Sequence, residues 1–151
     1  MNVSFSVVIP LYNKEREVAR ALRSALGQTL PPCEIVVVDD GSTDGGASVV
    51  EALCADEGRG LMRLVRQANG GVCAARNRGI AETRGTHIAL LDADDAWRPG
   101  FLAEIASLVA DYPHCGLYCT GFDIRSDGEA IHPAPTPAER GVVADFFAAS
   151  I

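Results

Sequence analysis

Lysine is nearly missing from this chain: among 13 basic side chains in 151 residues the only one is Lys14, so no phosphate-binding or Schiff-base lysine can stand elsewhere. Also absent are GxxxxGK[ST], a GxGxxG following a strand, HExxH and GxSxG, which removes the P-loop, dinucleotide-binding, zinc-protease and serine-hydrolase readings. Positive charge is scarce. The 20 acidic residues give a net charge of -7, which disfavours nucleic acid, a partner that needs many phosphate-neutralising contacts. Zinc-ligand spacing is lacking too, because Cys33, Cys54, Cys73, Cys115 and Cys119 are odd in number and form no CxxC pair, so they read as reduced packing residues. His87, His114 and His132 are scattered and read as surface or packing side chains. No apolar run approaches the roughly 20 residues that cross a bilayer, and the first residues have no signal-peptide pattern, so the expectation is a soluble, cytoplasmic chain.

What is present is enough apolar material, 48% of residues, for one substantial core. Ser4 to Pro10 forms a β-rich run, and Val18, Leu22, Ala25 and Leu26 then recur at helical spacing. Asn13 is the expected N-cap of that helix. The uninterrupted run Ile35-Val36-Val37-Val38 predicts a strand buried on both faces, as in a parallel sheet. Helices near 47–55 and 72–83 and strands near 61–66 and 87–91 continue the alternation, which predicts a Rossmann-like three-layer α/β/α fold with a mainly parallel central sheet. A further helix begins after the Arg98-Pro99-Gly100 turn, and Gly116 to Phe122 reads as another strand. From Asp123 to Glu139 the chain is turn-rich, with Pro133, Pro135 and Pro137, and reads as an exposed connection. Val142 to Ile151 is apolar and helical in pattern and has no polar stop, so Phe146, Phe147 and Ile151 call for a covering surface, which a second copy of the chain could supply.

Chemistry concentrates where strands end. Asp39 and Asp40 follow the second strand, and Asp92, Asp94 and Asp95 follow the fourth, so two acid groups share the edge at which open α/β sheets bind ligands. Each group alone also fits a helix cap or a solvated turn. Strand geometry carried through the triplet would aim Asp92 and Asp94 to one side, where two carboxylates suit Mg2+ or Mn2+ with substrate phosphates completing the shell. Arg76 falls in the inward stripe of its helix and needs an anion, either an aspartate or a ligand diphosphate. The turn Asn69-Gly70-Gly71 would bring backbone close to such a ligand.

In order and spacing, Val7-Val8-Ile9-Pro10-Leu11-Tyr12-Asn13, Val38-Asp39-Asp40-Gly41-Ser42-Thr43-Asp44, Asn69-Gly70-Gly71 with Ala75-Arg76-Asn77, and Leu91-Asp92-Ala93-Asp94-Asp95 together resemble family-2 glycosyltransferases from about Ser4 to Leu102. The resemblance implies a GT-A fold, with residues 1–122 as the donor-binding domain and 123–151 as a Pro-rich connection into an acceptor-side segment that is cut short. It implies that Pro10, Tyr12 and Asp39 hold the base, that Arg76 contacts base or diphosphate, that Asp92 lies near ribose and metal, and that Asp94 is the main ligand to Mn2+ or Mg2+. Asp95 is left to support the loop. Trp97 matches an aromatic position of the family and equally fits packing. The implied partners are a nucleotide-diphosphate sugar, foremost a UDP-sugar, and a glycan or lipid-linked acceptor, at the inner membrane face or in the cytoplasm. The implied reaction is inverting transfer with its catalytic base beyond residue 151. Three other readings compete: a nucleotidyltransferase, which would want a glycine-rich basic loop in place of Pro10-Leu11-Tyr12-Asn13; a receiver module, which would want a late lysine; and a non-catalytic nucleotide-binding fragment.

Overall fold

Phe5–Leu11 (β1) and Glu34–Asp39 (β2) are buried along their whole length, and both lie inside one four-stranded sheet. The computed structural model describes residues 3–58, 60–121, 123–126 and 129–133. The sheet runs β3-β2-β1-β4, with Met62–Arg66 (β3) and His87–Leu90 (β4) at its edges, and every pairing is parallel. Val18–Leu26 (α1) and Gly46–Asp56 (α2) link strands that advance in one direction across the sheet, whereas Val72–Ala81 (α3) links β3 back to β4. Right-handed crossovers therefore put α1 and α2 on one face and α3 on the other, giving the expected three layers. α1 turns Val18, Ala21, Leu22 and Ala25 inward, as its spacing requires.

Because the chain winds outward from β1 through β2 and β3 and then returns to β4, the order reverses between β1 and β4. Pro10 helps to open that place. Val8 accepts the last rung of the β1–β4 ladder from Leu91 N–H at 3.1 Å, and the residue that would donate the next rung on that side is a proline. The ladder stops, the strand ends part, and residues 91–95 are free to turn.

α3 lies close on the sheet through small residues. Ala75 and Gly79 are its buried positions, while Val72 and Ile80 are half exposed, so the inward stripe is narrower than the one read from sequence. A Cβ on Gly79 would land inside the Val8 side chain and 3.3 Å from Val38 Cγ2.

Two compact units divide the chain, Met1–Ala103 and Glu104–Ile151. Phe101–Asp111 (α4) starts at the end of the first. In the second, Asp123–Ser126 (β5) and Glu129–Pro133 (β6) pair antiparallel, where an exposed connection was expected. They flank Asp127-Gly128, a dipeptide favoured in two-residue hairpins. The strand expected over Gly116 to Phe122 is not formed among the described residues 116–121, which join neither sheet. The apolar segment Val142 to Ile151 lies outside the described residues. Among the described residues no helix is long and apolar enough to cross a membrane.

Candidate functional site

The loop after β1 and the loop after β2 are tied together. Asn13, with a left-handed φ of 51°, does not cap α1, whose N-cap residue is Glu17. Instead its Oδ1 accepts Thr43 N–H at 2.8 Å, and its own N–H donates to Ser42 Oγ at 3.1 Å. Glu15 N–H donates to Asp44 Oδ2, and Gly45 N–H donates to Glu15 Oε2, each at 3.0 Å. These polar contacts across some thirty residues of sequence hold the two loops to each other.

The paired aspartates after β2 have different tasks. Asp39 Oδ1 accepts Ser42 N–H at 3.0 Å and shapes its own turn. Asp40, only 2% exposed, accepts Gln67 Nε2–H at 2.7 Å and the N–H groups of Gly70 and Gly71 at 2.8 Å each. Burial pushes its carboxyl upward, but these donors outweigh burial and hold it below the ordinary value. Asp40 thus anchors the turn before α3, and Gly41, at φ +72°, lets that turn approach because a Cβ there would sit 3.0 Å from Asn69 N. The turn that the sequence reading brings close to a ligand reaches the cavity wall through Asn69 and Gly71, while the amides of Gly70 and Gly71 are committed to this carboxylate.

Residues 91–95 follow β4 as a turn, not as continued strand, with Asp95 N–H donating to Asp92 O at 3.0 Å. The turn still brings Asp92 and Asp94 to one cavity, and each carboxylate meets its own cation. Arg76 Nη2 lies 2.6 Å from Asp92 Oδ1, the aspartate partner that the sequence left open beside a diphosphate. Lys14 Nζ lies 2.8 Å from Asp94 Oδ2. That hydrogen bond holds the Asp94 carboxyl below its ordinary value, whereas Asp95 is raised by desolvation and by its neighbours Asp94 and Asp92. Arg20 on α1 donates to the Asp94 carbonyl and steadies the turn from the other side. Trp97 takes the packing role: its ring stacks on Phe101 at 4.5 Å, and its N–H donates to Ser24 Oγ.

The cavity so formed measures about 380 Å3 and lies beyond the carboxyl ends of β1, β2 and β4. Of the residues singled out from sequence, Pro10, Tyr12, Asp92 and Asp94 line it, while Asp39 and Arg76 are not on its wall. Lys14, Asn69 and Val72 line it as well. Sequence reasoning missed Lys14 as a site residue; its position one residue past Asn13, at the carboxyl end of β1, was the available signal.

The sequence profile described as glycosyl transferase family 2 matches residues 6–146. The chain belongs to that family. It is 44% identical over 102 residues to the succinoglycan biosynthesis protein ExoU of Rhizobium meliloti, which is 67% of this chain and 29% of the relative. In fold it is similar to Staphylococcus aureus TarS 1-349 solved in complex with UDP-GlcNAc, with a TM-score of 0.66 at 26% identity over 80% of this chain and 38% of that one. It is equally similar to the mannosyltransferase PcManGT of Pyrobaculum calidifontis in complex with GDP-Man and Mn2+, with a TM-score of 0.67 at 28% identity over 72% of this chain and 32% of that one. The fold is GT-A. The chain spans about a third of the length of the curated relatives it matches.

Proposed function

We propose that this cavity binds a nucleoside-diphosphate sugar, foremost a UDP-sugar, as donor for inverting hexosyl transfer to an acceptor hydroxyl in polysaccharide or glycoconjugate synthesis. One observation carries the reading: an apolar and aromatic wall from Pro10, Tyr12 and Val72 meets two acid–cation pairs at the crevice where the sheet order reverses. The complexes of the structural neighbours with UDP-GlcNAc and with GDP-Man and Mn2+ support the choice of ligand. Tyr12, 48% exposed, offers its ring to the base, whereas Asp39, which the family resemblance assigns to a base N–H, lies off the cavity wall with its Oδ1 accepting Ser42 N–H.

The donor set fits a hard divalent cation. Asp92 and Asp94 supply carboxylate oxygens, and among the described residues no third His, Cys, Asp or Glu joins them as a possible ligand. That is the pattern of Mg2+ or Mn2+ sites completed by substrate phosphates, and the cation would offset charge on the departing diphosphate. Arg76 stands behind the cavity wall and holds Asp92 in place. No base is assigned within the cavity, since its carboxylates are engaged by Gln67 and the glycine amides, by Arg76 and by Lys14.

Calorimetric titration of UDP, dTDP and GDP with and without Mn2+ tests the reading. Binding of one diphosphate that requires the cation, with the cation dependence abolished in Asp94→Ala and the fold intact, is the expected result. Binding that ignores both Mn2+ and the substitution, or no binding by a folded chain, would overturn it.

A further inference from the structure

Lys14 lines the cavity and spends its charge on Asp94, the carboxylate assigned above to a divalent cation. Its backbone is fixed: its carbonyl accepts Glu17 N–H at 3.2 Å and Val18 N–H at 3.0 Å as α1 begins, and Glu15 next to it is tied to Asp44. The side chain is not fixed in the same way. It is 40% exposed, and its ammonium pairs with Asp94 Oδ2. A flexible four-carbon stem rooted on a rigid loop can move its point charge within the cavity at little cost. Arg20 already supports the Asp94 turn through the backbone carbonyl, so holding the turn does not depend on Lys14.

An ammonium 2.8 Å from Asp94 Oδ2 already offsets the carboxylate's charge and would repel a metal ion approaching the same carboxylate. Resting on the donor-site reading, we propose that Lys14 is the built-in counter-ion of Asp94 in the ligand-free protein and makes cation uptake depend on the diphosphate. Phosphate oxygens entering the cavity offer the ammonium a second anion; when Lys14 turns to them, Asp94 is released to the metal ion. Metal and nucleotide then bind with positive coupling, and by linkage each raises affinity for the other by the same factor. Lys14 is a positioning residue: it sets the order in which the site fills. An arginine at this place would keep the charge, and a methionine would keep the length and lose it.

The test counts free Mn2+ by its electron paramagnetic resonance signal in titrations of the whole chain, with MnCl2 alone and with MnCl2 plus UDP. Unmodified protein should bind Mn2+ weakly alone and more tightly with UDP. Lys14→Met should bind Mn2+ alone about five- to tenfold tighter, the loss of one screened ion pair and of its repulsion toward the metal, and the gain from adding UDP should shrink. Lys14→Arg should behave as the unmodified protein. Equal or weaker Mn2+ affinity in Lys14→Met, with UDP-dependent uptake intact, would overturn the role of Lys14 and leave the donor site standing. No Mn2+ uptake by any of the three chains with UDP present would overturn the metal site itself.

Discussion

Asp39 and Asp40 are neighbours of identical chemistry, and only their surroundings separate them. Asp40 is closed off from water and saturated by donors from Gln67, Gly70 and Gly71, so its task is to hold the turn before α3. Asp40→Ala should therefore cost about 1–2 kcal/mol of stability, because Gln67 and the amides of Gly70 and Gly71 lose the charged acceptor that ties their turn to the end of β2. Urea denaturation reads this directly. A midpoint unchanged by the substitution would mean that the turn is held by something else. From sequence these roles could not be told apart, since the donors that decide them lie about thirty residues downstream. For the same reason Lys14 went unnoticed as a partner of Asp94, eighty positions away, while Asp92 and Asp94 were legible because local chain order alone puts them at a strand end.

At the scale of elements, what was readable is what local periodicity encodes. The buried run 35–38 and the helical spacing of Val18, Leu22 and Ala25 placed β2 and α1, and the β/α alternation gave the parallel sheet. Misplaced elements share one cause: strand pairing is settled by a neighbour. The apolar run 116–121 pairs with no strand among the described residues, whereas the segments flanking Asp127-Gly128 pair with each other. Helix α3 shows how one residue sets the distance between layers. Gly79→Ala would favour the helix itself by about 1 kcal/mol, yet its methyl collides with Val8 and crowds Val38, so a net loss of about 1–3 kcal/mol is expected. Thermal unfolding measures the sign. A stabilised Gly79→Ala chain would show that α3 can lift from the sheet without penalty. Since α3 carries Arg76 and begins at the cavity wall, a lifted helix should also weaken nucleotide binding.

Across the molecule, acid tests the carboxylates that the fold buries, and three of them, Glu34, Asp39 and Asp40, stand at the two ends of the central strand β2. At its start Glu34, 3% exposed, accepts Ser6 Oγ–H at 2.7 Å and lies 3.5 Å from Arg84 Nε and 3.6 Å from Arg63 Nη2. Burial raises its pKa, but the Ser6 hydroxyl, the Arg84 amide and the two guanidinium groups outweigh it, leaving the carboxyl below its ordinary 4.5. Asp40, past the other end, is likewise held below its ordinary 3.8. A depressed carboxyl stabilises the fold in full above its unfolded-state pKa and loses that contribution as pH falls through the folded value. Asp95, with its pKa raised, acts in the opposite sense and offsets part of the loss. The midpoint temperature should therefore vary little through neutral pH down to about 5 and fall below about 4.5. Glu34→Gln should lower it at neutral pH by the equivalent of about 1–3 kcal/mol and flatten the acid limb, because the amide has no proton to gain. If the two chains instead gave parallel curves, the acid limb would belong to Asp40 and the exposed carboxylates, and the stabilising charge at the start of β2 would have no part in it.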